Sequence, residues 1–237
     1  MADVSRETTP GVPDPDVVAA LFPPARRSLA ERYAALLASQ GVLRGLIGPR
    51  EVPRLWDRHL VNCALLAPLV PADVTAVDLG SGAGLPGLVV AIARPDLRVT
   101  LLEPMARRTA FLEEAVRELE LGNVEVVRGR AEDWSRANRF DVVTARALAP
   151  LPQLLRWALP LVTPGGAVLA MKGSSAAEEV EAAAAELRRA QATAEVLYPE
   201  VRGASSTTVV KVVPRVATPI GWRPDSGPRR GREKRRQ

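Results

Sequence analysis

The stretch T-A-V-D-L-G-S-G-A-G-L-P-G, residues 75–87, decides the fold. Apolar residues 74–79 predict a strand that opens directly into a glycine-rich turn, and Pro86 starts a predicted helix over residues 86–93, where its missing N–H costs nothing. Glycines lack Cβ, so the turn can adopt positive φ and a ligand can approach its backbone closely. The glycines of the turn are Gly80, Gly82 and Gly84. Strand, turn and helix in this order predict the nucleotide- or nucleoside-binding entrance of a doubly wound α/β sheet.

Two kinds of ligand are compatible with this turn. Residues 82–87 satisfy G-x-G-x-x-G, which is typical of dinucleotide-dependent oxidoreductases. Asp78 favours S-adenosylmethionine (SAM) instead, because an acidic lip would repel a pyrophosphate and attract a sulfonium and an ammonium. Glu103 ends the next predicted strand, at the position that accepts hydrogen bonds from ribose hydroxyls. Taken alone, Asp78 or Glu103 could instead be a helix-capping or solvent-exposed residue.

Composition predicts an ordinary globular protein. The 237 residues are 47% hydrophobic and 25% charged, enough for one or two domains with a sizeable core. Cys63 is the single cysteine, so no intramolecular disulfide can form. No secretory signal or apolar run of roughly 20 residues is present. We expect a cytoplasmic monomer without a membrane segment.

The net charge of +5 comes from the end of the chain. Residues 227–237 contain six basic side chains and one acidic, so the remainder sums to zero. A basic tail is usually solvated, but it can add sequence-independent attraction to nucleic acid.

The chain is predicted to divide into four parts. Residues 1–14 form a disordered lead, 15–70 a helical cap, 71–215 the ligand-binding domain and 216–237 a basic, disordered tail. Within the cap, we predict helices over residues 16–22, 28–39 and 52–66.

Strands and helices alternate from residue 74 onward, as a parallel sheet requires. The predicted strands cover residues 74–79, 98–103, 124–128, 140–145 and 167–171, followed by an antiparallel pair at 194–198 and 207–213. The predicted helices cover residues 86–93, 105–120, 151–161 and 176–192. The expected fold is α/β: a Rossmann-like, mostly parallel sheet with a C-terminal antiparallel strand, helices on both faces and an N-terminal helical cap.

Ligands of such sheets bind beyond the carboxyl ends of the strands. After the third strand, the Ala131 N–H and the Glu132 carboxylate could hold an adenine edge, although a surface turn is the simpler interpretation. Arg146 and Lys172 end the fourth and fifth strands, where cations would face the crevice. They are candidates for binding RNA phosphate or the methionine carboxylate.

Six motifs together resemble the glucose-inhibited division protein B family, the bacterial 16S ribosomal RNA guanine-N7 methyltransferases. They are V-D-L-G-S-G-A-G-L-P-G (77–87), L-L-E-P-M-A-R-R-T-A-F-L (101–112), G-R-A-E-D (129–133), T-A-R-A-L-A (144–149), M-K-G (171–173) and R-H (58–59). The resemblance covers about residues 30–213. It implies a class I SAM-dependent methyltransferase that acts on one guanine in a decoding-region loop, with 16S rRNA or a small-subunit particle as partner.

The resemblance also implies roles for individual residues. Gly80 and Leu85 would line the SAM turn, and Glu103 would bind the ribose. Ala131 and Glu132 would lie on the adenine side, and Arg146 on the rim near the methyl donor.

Independently of the resemblance, the residues favour an acceptor atom that can be methylated without a general base. Residues 144–150 lack the Asn/Asp-Pro-Pro-aromatic turn used for exocyclic amines, and Cys63, the one possible nucleophile for pyrimidine C5, lies in an apolar stretch typical of a core. Guanine N7 already presents a lone pair, and alignment alone can lower the barrier by about 7–11 kcal/mol. We therefore predict no general base, and no metal because His59 is the lone histidine.

The predicted helix over residues 52–66 carries the remaining RNA-binding candidates. Arg54 and Arg58 lie one turn apart beside His59, which suggests an RNA-facing stripe, and Lys172 is a further candidate. A solvated helix face is the alternative.

Three other functions stay open: a SAM-dependent methyltransferase of a protein or small molecule, a nicotinamide-dependent oxidoreductase, and a non-catalytic RNA-binding protein.

Overall fold

The computed structural model describes residue 11 and residues 14–133 and 139–215. The predicted basic tail and nearly all of the predicted lead lie outside these residues. No helix in the described ranges is long and apolar enough to cross a membrane.

Within the described residues, seven strands, numbered β1 to β7 along the chain, form one sheet in the order β3-β2-β1-β4-β5-β7-β6. The first five are parallel neighbours, while β7 runs antiparallel to both β5 and β6. This arrangement confirms the predicted fold class. The strands are β1 (Thr75–Leu79), β2 (Arg98–Glu103), β3 (Val124–Arg128), β4 (Phe140–Arg146), β5 (Val162–Lys172), β6 (Ala192–Leu197) and β7 (Thr208–Pro214).

Helices cover both faces because side chains of the buried strands alternate between two apolar clusters. Val77 and Leu79 of β1 point into the cluster under α6, α7 and α8, whereas Ala76 points into the cluster under α4, α5 and the cap. The helices are α1 (Pro15–Leu21), α2 (Arg27–Leu36), α3 (Asn62–Ala64), α4 (Gly87–Ala93), α5 (Ala106–Glu118), α6 (Leu151–Ala158), α7 (Ala176–Ala182) and α8 (Ala184–Arg189).

The cap packs directly on the sheet domain. Tyr33, Leu55 and Leu60 are fully buried in the same apolar cluster as Leu88 and Ile92 of α4. The cap therefore has no core of its own, and its side chains reach the ligand-binding end of the sheet.

The structure corrects the predicted cap helices. Instead of one helix over residues 52–66, a 3-10 segment (Pro49–Arg54) is followed by a π-helical segment (Leu55–Val61) and the short α3. Pro53 lies inside the 3-10 segment and cannot donate a helical hydrogen bond, which opposes a regular α-helix. The predicted helix over residues 28–39 likewise changes to π-helix after Leu36.

Two elements of the sheet domain also differ. The predicted helix over residues 176–192 is split into α7 and α8, and Gln191 with φ 49° follows the second. Strand β5 begins at Val162 rather than at residue 167, and Gly165 with φ 84° lies within it. The register against β4 shifts between Phe140 and Val142, so Pro164, Gly165 and Gly166 form an irregularity inside the strand.

Candidate active site

The turn after β1 requires glycine at the predicted positions. Gly80, Gly82 and Gly84 have φ values of 67°, 59° and 95°, a region that other residues rarely adopt. A Cβ on Gly84 would lie 2.7 Å from the Tyr33 hydroxyl oxygen, and one on Gly80 would lie 2.5 Å from a methyl carbon of Leu148. The turn is thus closely packed on both sides, and helix α4 starts at Gly87, with Pro86 as its N-cap rather than in its first turn.

Asp78 does not form the predicted acidic lip. Its side chain is buried, with Oδ2 accepting a 3.1 Å hydrogen bond from the Gly87 N–H and Oδ1 a 2.9 Å bond from the Thr144 hydroxyl. Burial raises the pKa of this carboxyl to about 6, although the Thr144 and Gly87 bonds favour the ionised form. Asp78 therefore joins β1, β4 and the start of α4, because the chain folds its side chain inward rather than toward solvent.

Glu103 lies against the turn at the end of β2. Its Oε2 accepts a 3.0 Å hydrogen bond from the Gly82 N–H, and its Oε1 accepts one of 3.0 Å from the Met105 N–H. Arg108 adds a long ion pair at 3.8 Å. Each carboxylate oxygen has further acceptor capacity, so the side chain is held in place with the chemistry that a ribose diol requires.

Tyr33 of α2 is a site residue that the sequence analysis missed. Its hydroxyl donates a 2.6 Å hydrogen bond to the Ala83 carbonyl oxygen in the middle of the turn. The side chain is fully buried, and burial raises its pKa well above the usual tyrosine value. In the sequence, Tyr33 is only one apolar position of a helical stripe, and nothing there indicates contact with a turn 50 residues away.

The loop after β3 lies beside Glu103. The Gly129 N–H donates to the Glu103 carbonyl oxygen at 3.2 Å, which brings residues 129–133 to the cofactor end of the sheet. Ala131 is half-buried and Glu132 is exposed. Their predicted contact with adenine stays a prediction.

Arg146 ties the end of β4 to the cap. Its Nη1 donates to the Cys63 Sγ at 3.2 Å, and its Nη2 lies 3.1 Å from the Arg58 carbonyl oxygen and 2.9 Å from His59 Nδ1. A guanidinium can only donate. His59 Nδ1 must therefore accept, which makes the imidazole the neutral Nε2–H tautomer.

The other ring nitrogen of His59 is also engaged. Nε2 lies 3.2 Å from Glu51 Oε2, so it donates to that carboxylate. Burial and the neighbouring Arg146 charge lower the pKa of His59, in agreement with this tautomer. Glu51 also pairs with Arg58 at 3.2 Å, while Arg54 is exposed. The predicted basic stripe is therefore partly neutralised within the cap.

Cys63 is buried, as its apolar surroundings predict. Burial raises the pKa of its thiol to about 11 despite the Arg146 contact, so little thiolate forms near neutral pH.

A cavity of about 1050 Å³ opens beside the cofactor turn, between the cap and the ends of β4 and β5. Arg146 and Leu148 line it, and Leu148 also packs on Gly80. Lys172 lines it as well, but its Nζ is bound to Glu179 Oε2 at 2.7 Å and to the Ala149 carbonyl oxygen at 2.8 Å. The two predicted rim cations, Arg146 and Lys172, thus share one cavity, and both are held by protein contacts.

Comparison with known families decides the identity of this site. The profile of the family described as rRNA small subunit methyltransferase G matches residues 26–205. The chain belongs to that family. A ribosomal RNA small subunit methyltransferase G of Nocardioides sp. is 60% identical, with 99% of this chain and 93% of the relative covered. Another from Thermobifida fusca is 55% identical over 87% of this chain and 90% of the relative.

Membership of the rRNA small subunit methyltransferase G family confirms the resemblance seen in the motifs. The protein is a SAM-dependent rRNA methyltransferase. The nicotinamide-dependent alternative is thereby excluded, although the turn satisfies the dinucleotide pattern.

Solved structures agree with this fold at low sequence identity. M. jannaschii TYW2 in complex with SAM superposes with a TM-score of 0.51 at 15% identity, covering 63% of this chain and 72% of that one. The precorrin-6y C5,15-methyltransferase of Geobacter metallireducens gives a TM-score of 0.50 at 14% identity, covering 65% and 87%.

The residues present fit SAM. Gly80 and Gly82 are half-buried and lack Cβ, so a ligand can approach their backbone, and the fixed Glu103 carboxylate offers acceptors for hydroxyl groups. Within residues 14–133 and 139–215, no group of three or more His, Cys, Asp or Glu side chains could hold a metal ion. The predicted absence of a metal and the predicted monomer stay predictions.

Proposed function

We propose that the protein methylates N7 of one guanine in 16S rRNA by direct in-line transfer from SAM, without a general base. SAM supplies an electrophilic methyl group when bound. The protein's task is then to hold the acceptor base against the cofactor site, because proximity and orientation alone can contribute on the order of 7–11 kcal/mol.

One observation carries this proposal: the histidine and the cysteine beside the β4 end, which could do proton or covalent chemistry, are already engaged. Both ring nitrogens of His59 are hydrogen-bonded, and the Cys63 thiol is buried with a pKa of about 11. Arg146 is a cation and cannot accept a proton. An acceptor atom with a free lone pair suits such a site, whereas pyrimidine C5 would require a thiolate nucleophile.

The cavity supports RNA as the acceptor. It is large enough for a nucleoside with part of its backbone, since ligand pockets typically span about 300–1,000 Å³. It is lined by Arg58, Arg146 and Lys172, whose positive charges can offset the negative charge of RNA phosphate groups. We propose that Arg54, Arg58 and Lys172 face the RNA and that the cap (15–70) and the SAM-binding domain (71–215) bind it together.

The test is methyl transfer to 16S rRNA transcribed with 7-deazaguanosine in place of guanosine. This analogue replaces N7 by carbon and leaves the other hydrogen-bonding edges of the base unchanged. We expect transfer of tritiated methyl to the ordinary transcript, or to small-subunit particles assembled from it, and none to the 7-deaza transcript. A transcript with 7-deazaadenosine controls for folding. Undiminished transfer to the 7-deazaguanosine transcript would refute N7 as the acceptor.

A further inference from the structure

The cavity beside the glycine turn is lined by several parts of the chain. The cap contributes Asp57, Arg58 and Asn62, the end of β4 and the residues after it contribute Arg146 and Leu148, and residues 171–174 and 205–208 also line it. Leu148 packs against Gly80 of the glycine turn as well. A base bound in this cavity can therefore contact the cap with one edge while another edge faces the end of β4 beside the turn.

Two carboxylates line this cavity, and they differ in their partners. Glu179 is already occupied, because its Oε2 accepts 2.7 Å hydrogen bonds from both Lys172 Nζ and the Leu151 N–H. Asp57 is exposed. Over the part of the chain that the structure describes, its carboxylate makes no hydrogen bond or ion pair, and its neighbour Arg58 pairs with Glu51 instead.

An unpaired carboxylate is unexpected on the wall of a cavity that receives RNA. It repels phosphate, so it weakens any purely electrostatic capture of the RNA backbone. It attracts N–H groups, and two adjacent N–H donors can bind its two oxygens at once. Among the four RNA bases, guanine offers such a pair, N1–H and N2–H, on the side of the purine away from N7. Adenine presents an acceptor at N1 and would be repelled.

Resting on the proposed function, we propose that Asp57 is a specificity-determining residue that accepts hydrogen bonds from N1–H and N2–H of the acceptor guanine. Enzymes that modify a base take it out of the stack and read its Watson–Crick edge. With that edge on Asp57, N7 is directed away from the cap wall and toward the cofactor turn. Asp57 only accepts hydrogen bonds, since transfer to N7 removes no proton.

The experiment uses the full-length enzyme, saturating SAM and 16S RNA with either guanine or inosine at the mapped acceptor position. Inosine lacks the N2 amino group but keeps N7. We expect Asp57→Asn to lower kcat/KM for the guanine RNA by roughly 5- to 150-fold, the range for loss of one bidentate base contact. Inosine should lower kcat/KM of the wild type, whereas the variant should discriminate little between the two RNAs.

The matched control is Glu113→Gln, which removes one exposed carboxylate from α5, outside the cavity lining. It should behave as the wild type toward both RNAs. SAM affinity and melting temperature should be unchanged in both variants, which separates base recognition from a folding defect.

Two outcomes would overturn the inference, and they differ from failure of the proposed function. The inference is wrong if Asp57→Asn matches Glu113→Gln in kcat/KM, or if it keeps the wild-type preference for guanine over inosine. In either case, loss of transfer to the 7-deazaguanosine transcript would leave N7 methylation standing. Transfer to that transcript would instead overturn the proposed function, and the Asp57 inference with it.

Discussion

The hydroxyl of Tyr33 donates a 2.6 Å hydrogen bond to the carbonyl oxygen of Ala83, which joins the helical cap to the cofactor turn. Tyr33 is fully buried at this contact. The glycine turn is therefore shaped partly by the cap and not by the sheet domain alone. Tyr33 acts as a positioning residue, since it touches the turn rather than the cofactor's expected binding face.

Tyr33→Phe should weaken SAM binding because it removes the donor to the turn and leaves the Ala83 carbonyl unpaired. A hydrogen bond contributes a net free energy of about 0.5–1.5 kcal/mol. We therefore expect the Kd for SAM, measured by calorimetric titration, to rise roughly 2- to 12-fold. Tyr198→Phe is the matched control, because Tyr198 is 65% exposed. Equal SAM affinity in all three proteins would show that the turn keeps its shape without the Tyr33 hydrogen bond.

Glu103→Gln should weaken SAM binding more strongly. The amide keeps the size of the side chain, but its NH₂ group must face one of the two backbone N–H donors, from Gly82 or Met105. A buried unpaired group costs about 1–3 kcal/mol, and we expect a comparable loss of SAM affinity in the same titration. Unaltered affinity would contradict the assignment of Glu103 to the cofactor.

Asp78→Asn tests the buried carboxyl through the pH dependence of stability. The folded-state pKa is about 6 and the ordinary value 3.8, so between these values the folded protein binds more protons than the unfolded chain. Asp78 therefore stabilises the fold below pH 3.8, and this contribution is lost as pH rises through 6. The melting temperature of the wild type relative to Asp78→Asn should increase as pH falls from 8 to 5. A constant difference would indicate that Asp78 has an ordinary pKa.

Arg146→Ala should loosen the cap from β4. It removes donors to Cys63, Arg58 and His59 at once, and hydrogen bonds to a charged group contribute about 1.5–3 kcal/mol. We expect a loss of unfolding free energy of that order, measured by denaturant unfolding.

The single thiol gives a second readout for Arg146→Ala. Cys63 is buried in the wild type, so its labelling by a maleimide requires opening of the cap. Labelling should be faster in Arg146→Ala than in Arg156→Ala, a control that breaks the partly buried pair between Arg156 of α6 and Glu186 of α8. Equal labelling rates would show that Arg146 does not hold the cap closed.

The sheet and the turn are readable from the sequence because their signals are local. Strand β2 and strand β3 have the predicted bounds, and Gly80, Gly82 and Gly84 adopt the positive φ that their lack of Cβ allows. Glu103 lies at the predicted turn because the carboxyl ends of neighbouring parallel strands meet at one edge.

The other features of the site and of the cap depend on contacts between residues far apart in the chain. The Arg146–His59 contact spans 87 residues and the Tyr33–Ala83 contact spans 50, and no periodicity encodes such pairs. The inward rotation of Asp78 has the same origin, because Thr144 is its partner from another strand. The change from 3-10 to π-helix in the cap depends on Pro53 and on packing against the sheet, which hydrophobic spacing alone does not distinguish from an α-helix.

The most direct measurement is the identity of the methylated nucleoside. After reaction of 16S RNA with the enzyme and SAM carrying a tritiated methyl group, the RNA is digested completely and its nucleosides are separated. The account predicts that the label appears in 7-methylguanosine. Label in any other nucleoside would contradict transfer to N7 without a general base.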